Sequence, residues 1–265
     1  MPFAKTSTML LALFVGFVGL ILNAVSIGTP FWTRATYSGP VRTYFVSNDT
    51  ILSQPPPRML IRNSGLWIFC HYVLNVNYTE YEETASGSGE PEDALVECDS
   101  YNFTLGISAD APGATYFSVQ FYLEKCACVI ACAALGMEFF GAMTSIQGTW
   151  TMLTVLFTDS GIMFLIGAFF HLLSILFFMV SFIYGTNEVP EAFSPFPPGY
   201  QLNYAWSFFL AWASFGLTFL SGTLYLLIAR AWQQEEVWEA VQAEKPGANK
   251  KEETVSSRRK LMGKL

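Results

Sequence analysis

Charge is scarce in this chain: only 13% of its 265 residues are Asp, Glu, Lys or Arg, against about 25% in an ordinary soluble domain. Histidine is scarcer still, with His71 and His171 the only two. Neither stands at motif spacing from a nucleophile or metal ligand, which argues against an enzyme and leaves no cofactor to expect. The net charge of -7 excludes a basic nucleic-acid surface, so no nucleic acid is expected as a partner. The acidity is local, because residues 28–117 hold ten acids against four bases, while residues 233–265 hold seven bases against six acids.

What the chain has in abundance is apolar length. Hydrophobic residues make up 52%, and four runs reach the ~20 residues that cross a hydrocarbon core. They are expected at Met9–Ile27, Phe121–Met143, Gly161–Tyr184 and Tyr204–Trp232. Trp150–Phe157 is itself apolar and lengthens either neighbour. A cleavable signal peptide is the competing reading of the first run, with Ala24-Val25-Ser26 as its small-residue site, but the run exceeds the usual ~7–15-residue signal core. The expected organisation is a short N-terminus (1–8), a tetraspan unit (9–232) and a tail (233–265). Its large loop would be 28–120 and its second loop 185–203.

Basic residues set the expected orientation. Lys5 precedes the first run, whereas Arg230, Lys250, Lys251, Arg258, Arg259, Lys260 and Lys264 close or follow the fourth, so both termini read as cytoplasmic and the long loop as extracellular. Three glycosylation acceptors, at Asn48, Asn77 and Asn102, all fall in that loop. Cys70 and Cys98 are the only cysteines there, and such a pair in an oxidising compartment bridges. Cys126, Cys128 and Cys132 sit in the second run as small packing residues. Val41–Phe45 and Leu66–Leu74 read as strands of a small antiparallel sheet. The second loop sets Phe193 and Phe196 among four prolines, a candidate partner contact.

Inside the runs, Glu138 is costly and expected to bond Ser, Thr or Gln of a neighbouring helix or to lie near the cytoplasmic surface. Glu124 and Lys125 are expected at the outer interface, His171 as a bonded packing residue, and Asp159 as N-cap of the third helix. Gly16, Gly19, Ala127, Ala131, Ala134, Gly216 and Gly222 permit close helix approach. Phe169, Phe170, Phe177 and Phe178 are expected on an outward face where a partner helix docks. The fourth helix should continue to Val241 and break at Pro246-Gly247, with a disordered basic segment beyond.

Several of these residues together resemble the superfamily of claudins and voltage-gated calcium channel γ-subunits: Trp32 after the first run, Gly65-Leu66-Trp67 before Cys70, Cys98, and Tyr204-Ala205-Trp206-Ser207-Phe208 at the fourth run. The resemblance implies a mainly α fold, a four-helix transmembrane bundle carrying a small extracellular antiparallel β-sheet, with Trp32 and Trp67 beside a Cys70–Cys98 bridge. It also implies a plasma-membrane protein that assembles with channel or receptor subunits, or with claudin-like proteins at cell junctions. Twenty-seven residues between the two cysteines exceed the claudin spacing, which brings the γ-subunit branch closer.

The acceptor sites yield a direct test of orientation. Enzymatic deglycosylation should lower the apparent mass, and replacing Asn48, Asn77 and Asn102 with Gln should abolish that shift. Unchanged mobility would contradict an extracellular loop.

Overall fold

The computed structural model describes residues 2–37, 59–74, 94–101, 114–187 and 200–262. Four helices dominate: α1 (Pro2–Gly28), α2 (Ala114–Thr151), α3 (Thr154–Asn187) and α4 (Trp206–Met262). Each contains a window long and apolar enough to cross a bilayer, yet only 33–39% of each window is buried within the protein. The remaining apolar surface requires lipid, and the chain is a multi-pass membrane protein. α2 packs on α3, α3 on α4, and α1 on both α4 and α2.

Helix limits depart from the sequence expectation where apolar and interfacial residues merge. The apolar stretch Trp150–Phe157 is divided between two helices: α2 runs to Thr151 and α3 begins at Thr154. Met152 makes the turn with a φ of 56°, and its amide donates to the Gly148 carbonyl at 2.8 Å. This left-handed residue ends the helix as glycine usually does. Asp159 is therefore inside α3 and is not its N-cap, because Val155–Phe157 are already helical. At the other end, Tyr204 belongs to a strand and α4 starts at Trp206. The expected break at Pro246-Gly247 is also absent: the α4 backbone stays helical to Met262. Strong helix formers (Glu, Ala, Gln, Lys and Arg) populate both sides of that pair and offset the proline's missing donor.

Five short strands accompany the helices: β1 (Thr33–Tyr37), β2 (Met59–Ser64), β3 (Ile68–Leu74), β4 (Ala94–Ser100) and β5 (Tyr200–Tyr204). They form one antiparallel sheet in the order β4-β3-β2-β1-β5. β1 leaves α1 and β5 enters α4, so the two strands paired beside each other continue two helices that are themselves packed together. The expected strand at Leu66 starts instead at Ile68, because Gly65-Leu66-Trp67 forms the β2–β3 turn. Val41–Phe45 lies outside the described residues.

Two apolar clusters fill the bundle. Near the sheet, Trp32, Leu66 and Ile27 meet Ala127, Ala131, Ile175, Phe178, Phe208 and Ala211. Toward the α2–α3 turn, Phe157 and Phe164 stack with Tyr225 at 6.1 and 6.0 Å, with Met9, Ala12, Ala142, Ile228 and Ala229 around them. Serine hydroxyls cross between helices: Ser214 donates to Gly19, Ser221 to Ala12, Ser160 to Gly141 and Ser174 to Ala127, each to a carbonyl at 2.7–2.9 Å. Such bonds need backbones that approach closely, which Gly16, Gly19, Gly141 and Gly222 permit. Gly216 differs from the expectation: it serves no close approach within the bundle, since a Cβ placed there would have no neighbouring atom within 4 Å.

Among the described glycines, Gly65 is the one least able to accept a side chain. A Cβ there would lie 2.5 Å from the Thr29 carbonyl oxygen and 2.9 Å from Pro30 Cα, both main chain. Gly65→Ala should destabilise the purified protein by about 1–3 kcal/mol, read as a lower thermal midpoint in detergent. Gly136→Ala, where nothing lies within 4 Å, should leave the midpoint unchanged or raise it.

Candidate functional site

The last carbonyls of a helix lack partners within the helix, and at the end of α1 they sit where the chain leaves the bundle. Thr29 Oγ1 donates back to the Val25 carbonyl at 2.9 Å. The Trp32 indole donates to the Ser26 carbonyl at 2.7 Å, and the Trp67 indole to the Ile27 carbonyl at 2.7 Å. The two motif tryptophans are thus C-caps supplied from the start of β1 and from the β2–β3 turn. Trp32 is buried and packs edge-on against Phe178 at 4.7 Å and Phe208 at 6.0 Å. Trp67 remains 42% exposed. Main-chain bonds complete the junction: Ala205 donates to the Trp32 carbonyl and Ser207 to that of Phe31, while Ser26 Oγ reaches the Ser207 carbonyl at 2.9 Å.

Phe178 requires a correction. The expectation sets it outward beside Phe177; instead it is buried against Trp32, and Phe177 is half-buried against the same cluster. Ala127 and Ser174 bring α2 and α3 together at this level, which turns that face of α3 inward. Phe169 does face outward. Phe193, Phe196, Asn48, Asn77 and Asn102 lie outside the described residues.

Cys70 and Cys98 are directly paired across β3 and β4 and joined by a disulfide. The adjacent row across β2, β3 and β4 is Arg62, His71 and Glu97. Arg62 stacks over Phe69 at 4.7 Å and hydrogen-bonds with Tyr101, which also bonds Ser64. Its charge extends to Glu124 of α2, whose Oε1 accepts from Gln120 at 3.1 Å and from Ser181 of α3 at 3.3 Å. The interfacial place expected for Glu124 is thus refined: it is the point where the sheet is tied to α2 and α3. Burial, then the Glu124 charge, push the Tyr101 hydroxyl above its ordinary value, so it stays a neutral donor.

Deeper in the bundle, Asn23 of α1 donates from Nδ2 to Glu138 Oε2 at 2.7 Å, and His171 Nδ1 lies 3.6 Å from Glu138 Oε1. In place of the Ser, Thr or Gln expected beside Glu138, its partners are Asn and His. Cys126 and Cys132 are exposed on α2 rather than packed within the bundle, and Cys128 is half-buried. No group of three or more His, Cys, Asp or Glu capable of holding a metal occurs among the described residues.

A tetraspan bundle with a tryptophan-capped first helix and a disulfide-bridged sheet agrees with what sequence comparison finds: the family described as PMP-22/EMP/MP20/Claudin tight junction matches residues 17–227. The chain belongs to this family. No curated protein matches it. The match takes in both capping tryptophans, the bridge, the second and third spans and parts of the first and fourth, and it stops inside α4, before the polar continuation of that helix.

The imidazole of His71 provides a test of the sheet's electrostatics. Burial and then Arg62 lower its pKa below 6.5, against the opposing pull of Asp99 and Glu97. A depressed folded value means that the neutral ring's contribution to stability is complete above about pH 6.5 and is lost as pH falls below it toward the folded value. The His71 ring resonance, assigned with a His71→Asn variant, should titrate below pH 6.5. A midpoint above that value would contradict the environment described.

Proposed function

We propose that this claudin-family protein is a non-enzymatic auxiliary subunit that binds a larger channel or receptor in the plane of the membrane and alters its assembly, trafficking or gating. The reading places it in the plasma membrane on the γ-subunit-like side of the family, with both termini cytoplasmic and the sheet outside. The charge distribution and the three acceptor sites support that orientation. The observation that carries the functional reading is the pair Gly136 of α2 and Gly216 of α4. Both are in spanning helices, and a Cβ at either would touch nothing. Glycine inside a helix costs about 1 kcal/mol relative to alanine, and here no neighbour within the protein offsets it. Around Gly216, Phe209, Trp212, Phe219 and Leu220 are exposed, which forms a shallow notch between bulky side chains suited to a crossing helix. Any effect on the partner's gating follows from unequal affinity for its two states.

A junctional role is the second reading. The family description itself names the tight junction, and β4 is a sheet edge with Val96 exposed, a surface suited to a protein on a neighbouring cell.

The two readings put the interface in different places. Gly136→Leu and Gly216→Leu fill the notches without touching the protein's own core, and should weaken same-cell co-purification of channel or receptor subunits about tenfold, the effect of ~1.4 kcal/mol. Phe193→Ser with Phe196→Ser should leave it unchanged. If the helix variants are silent while the loop variant abolishes clustering in mixed-cell aggregation, the junctional reading replaces the auxiliary-subunit one.

A further inference from the structure

One face of the sheet carries a polar row that the protein itself leaves unsatisfied. Arg34 of β1 is paired across the ladder with Asn63 of β2 on one side and with Asn203 of β5 on the other, and residues so paired point to the same face. Two residues further along, Thr36 and Gln201 are paired on that face as well. The opposite face is turned to the bundle. Thr33 and Ala35 are buried there, and Tyr204, the partner of Thr33, lies 4.3 Å from Phe208 of α4 and 4.3 Å from Phe182 of α3. The polar row therefore faces away from the helices.

Its burial deepens from edge to centre. Asn203 is exposed, Arg34 half-buried and Asn63 only 2% exposed. Arg34 Nε, a donor, and Asn63 Oδ1, an acceptor, are both buried without a hydrogen-bond partner. Among the described residues, none of the three side chains forms a hydrogen bond or an ion pair. Acid is not scarce in this part of the chain, since residues 28–117 hold ten acids against four bases, yet Arg34 is flanked by two amides. Arg62, by contrast, sits on the inward face opposite Ala35 and is engaged by Tyr101 and Phe69. A buried donor and a buried acceptor left empty are both unfavourable, and a ligand that satisfies both removes the penalty.

The chemistry of the row selects that ligand. A guanidinium holds a planar carboxylate through two parallel N–H···O bonds. A carboxylate alone has only acceptors and leaves Asn63 Oδ1 empty, so the side chain of an aspartate or glutamate does not complete the site. A sugar acid does: its carboxylate suits Arg34, while its hydroxyls can donate to Asn63 Oδ1 and exchange bonds with the Asn203 amide. The row also spans two inter-strand spacings, about 9.5 Å, which is longer than a single carboxylate and matches a substituted sugar ring.

We infer that Arg34, Asn63 and Asn203 form a binding site for an acidic sugar, with Arg34 holding the carboxylate and the two asparagines the hydroxyls. The site lies outside the spanning helices and does not depend on the notches at Gly136 and Gly216. Such a sugar has two sources, a glycan on the chain's own acceptor sites or one carried by another molecule.

Isothermal titration of the full-length protein in nanodiscs, with N-acetylneuraminic acid and glucuronic acid as probes, tests this. The protein is first treated with a peptide N-glycosidase, so that none of its own glycans competes. At least one acid probe should bind. N-acetylglucosamine, which lacks the carboxylate, and acetate, which lacks the hydroxyls, should each bind at least about tenfold more weakly. Arg34→Gln should abolish binding of the acid probes, and Asn63→Leu should weaken it about tenfold while leaving acetate unchanged. Neither side chain bonds within the protein, so both variants should keep the wild-type thermal midpoint, which separates lost binding from lost folding. Asn203→Ala, at the exposed edge, should also weaken the acid probes and serves if the buried replacement fails to fold. Failure of both acid probes to bind the wild type, or equal binding by Arg34→Gln, would overturn the proposal. Acetate binding as tightly as the sugars would overturn it too, by making a protein carboxylate a sufficient ligand. Repeating the titration without glycosidase identifies the source: probes excluded until treatment mean that the chain's own glycans fill the site, and unaltered binding means a sugar from another molecule.

Discussion

Everything outside the bundle depends on how α1 ends. A transmembrane helix that stops short of free water leaves carbonyls that something must satisfy, and here two indoles do so from two separate pieces of sheet. Tryptophan suits the task because its single donor sits on a large apolar body. Trp32 can reach the Ser26 carbonyl while its rings seal the gap between Phe178 and Phe208. The close passage of Gly65 over Thr29 and Pro30 is a consequence, since Trp67 cannot approach Ile27 unless the β2–β3 turn lies against the main chain. The disulfide then holds β4 to β3 one strand further out. The family motif is, in physical terms, a helix cap with a sheet attached.

The bundle below is held in two ways of unequal character. Apolar packing against lipid contributes little discrimination, because lipid is as apolar as the core, so contacts of small residues and interhelical hydrogen bonds decide the arrangement. Four serines bonding to carbonyls of other helices perform this at low cost. The Glu138 cluster has higher stakes. It is favourable when complete and strongly unfavourable when one member is missing, and it belongs to neither of the two apolar clusters.

The existence of four spans and of a bridged sheet is legible in the sequence because both leave unambiguous marks: uninterrupted apolar length, and two cysteines alone in a polar loop. Which face of each helix points inward is not. A soluble helix shows its buried side by alternation with polar residues, but α3 is apolar all round, and Phe178 looks no different in sequence from Phe169. The usable mark is size: Gly167, Ala168, His171, Ser174, Ile175 and Phe178 follow one stripe of buried positions, and its small and polar members identify it. β5 escapes a sequence reading because Tyr-Gln-Leu-Asn-Tyr is short and becomes a strand only through pairing with β1. Asn23 escapes for a different reason, since an uncharged amide in an apolar run draws attention only once its carboxylate partner is known.

The turn at Met152 has a consequence for control of the protein. α2 and α3 are joined by two residues, on the same side of the bilayer as both chain termini. Trp150, Met152, Leu153 and Val155 are exposed there and all are apolar. The connection on that face is therefore a tight apolar turn and not a loop. On that face the described chain reaches beyond the bundle only through the start of α1 and the long continuation of α4, each a single unpaired helix.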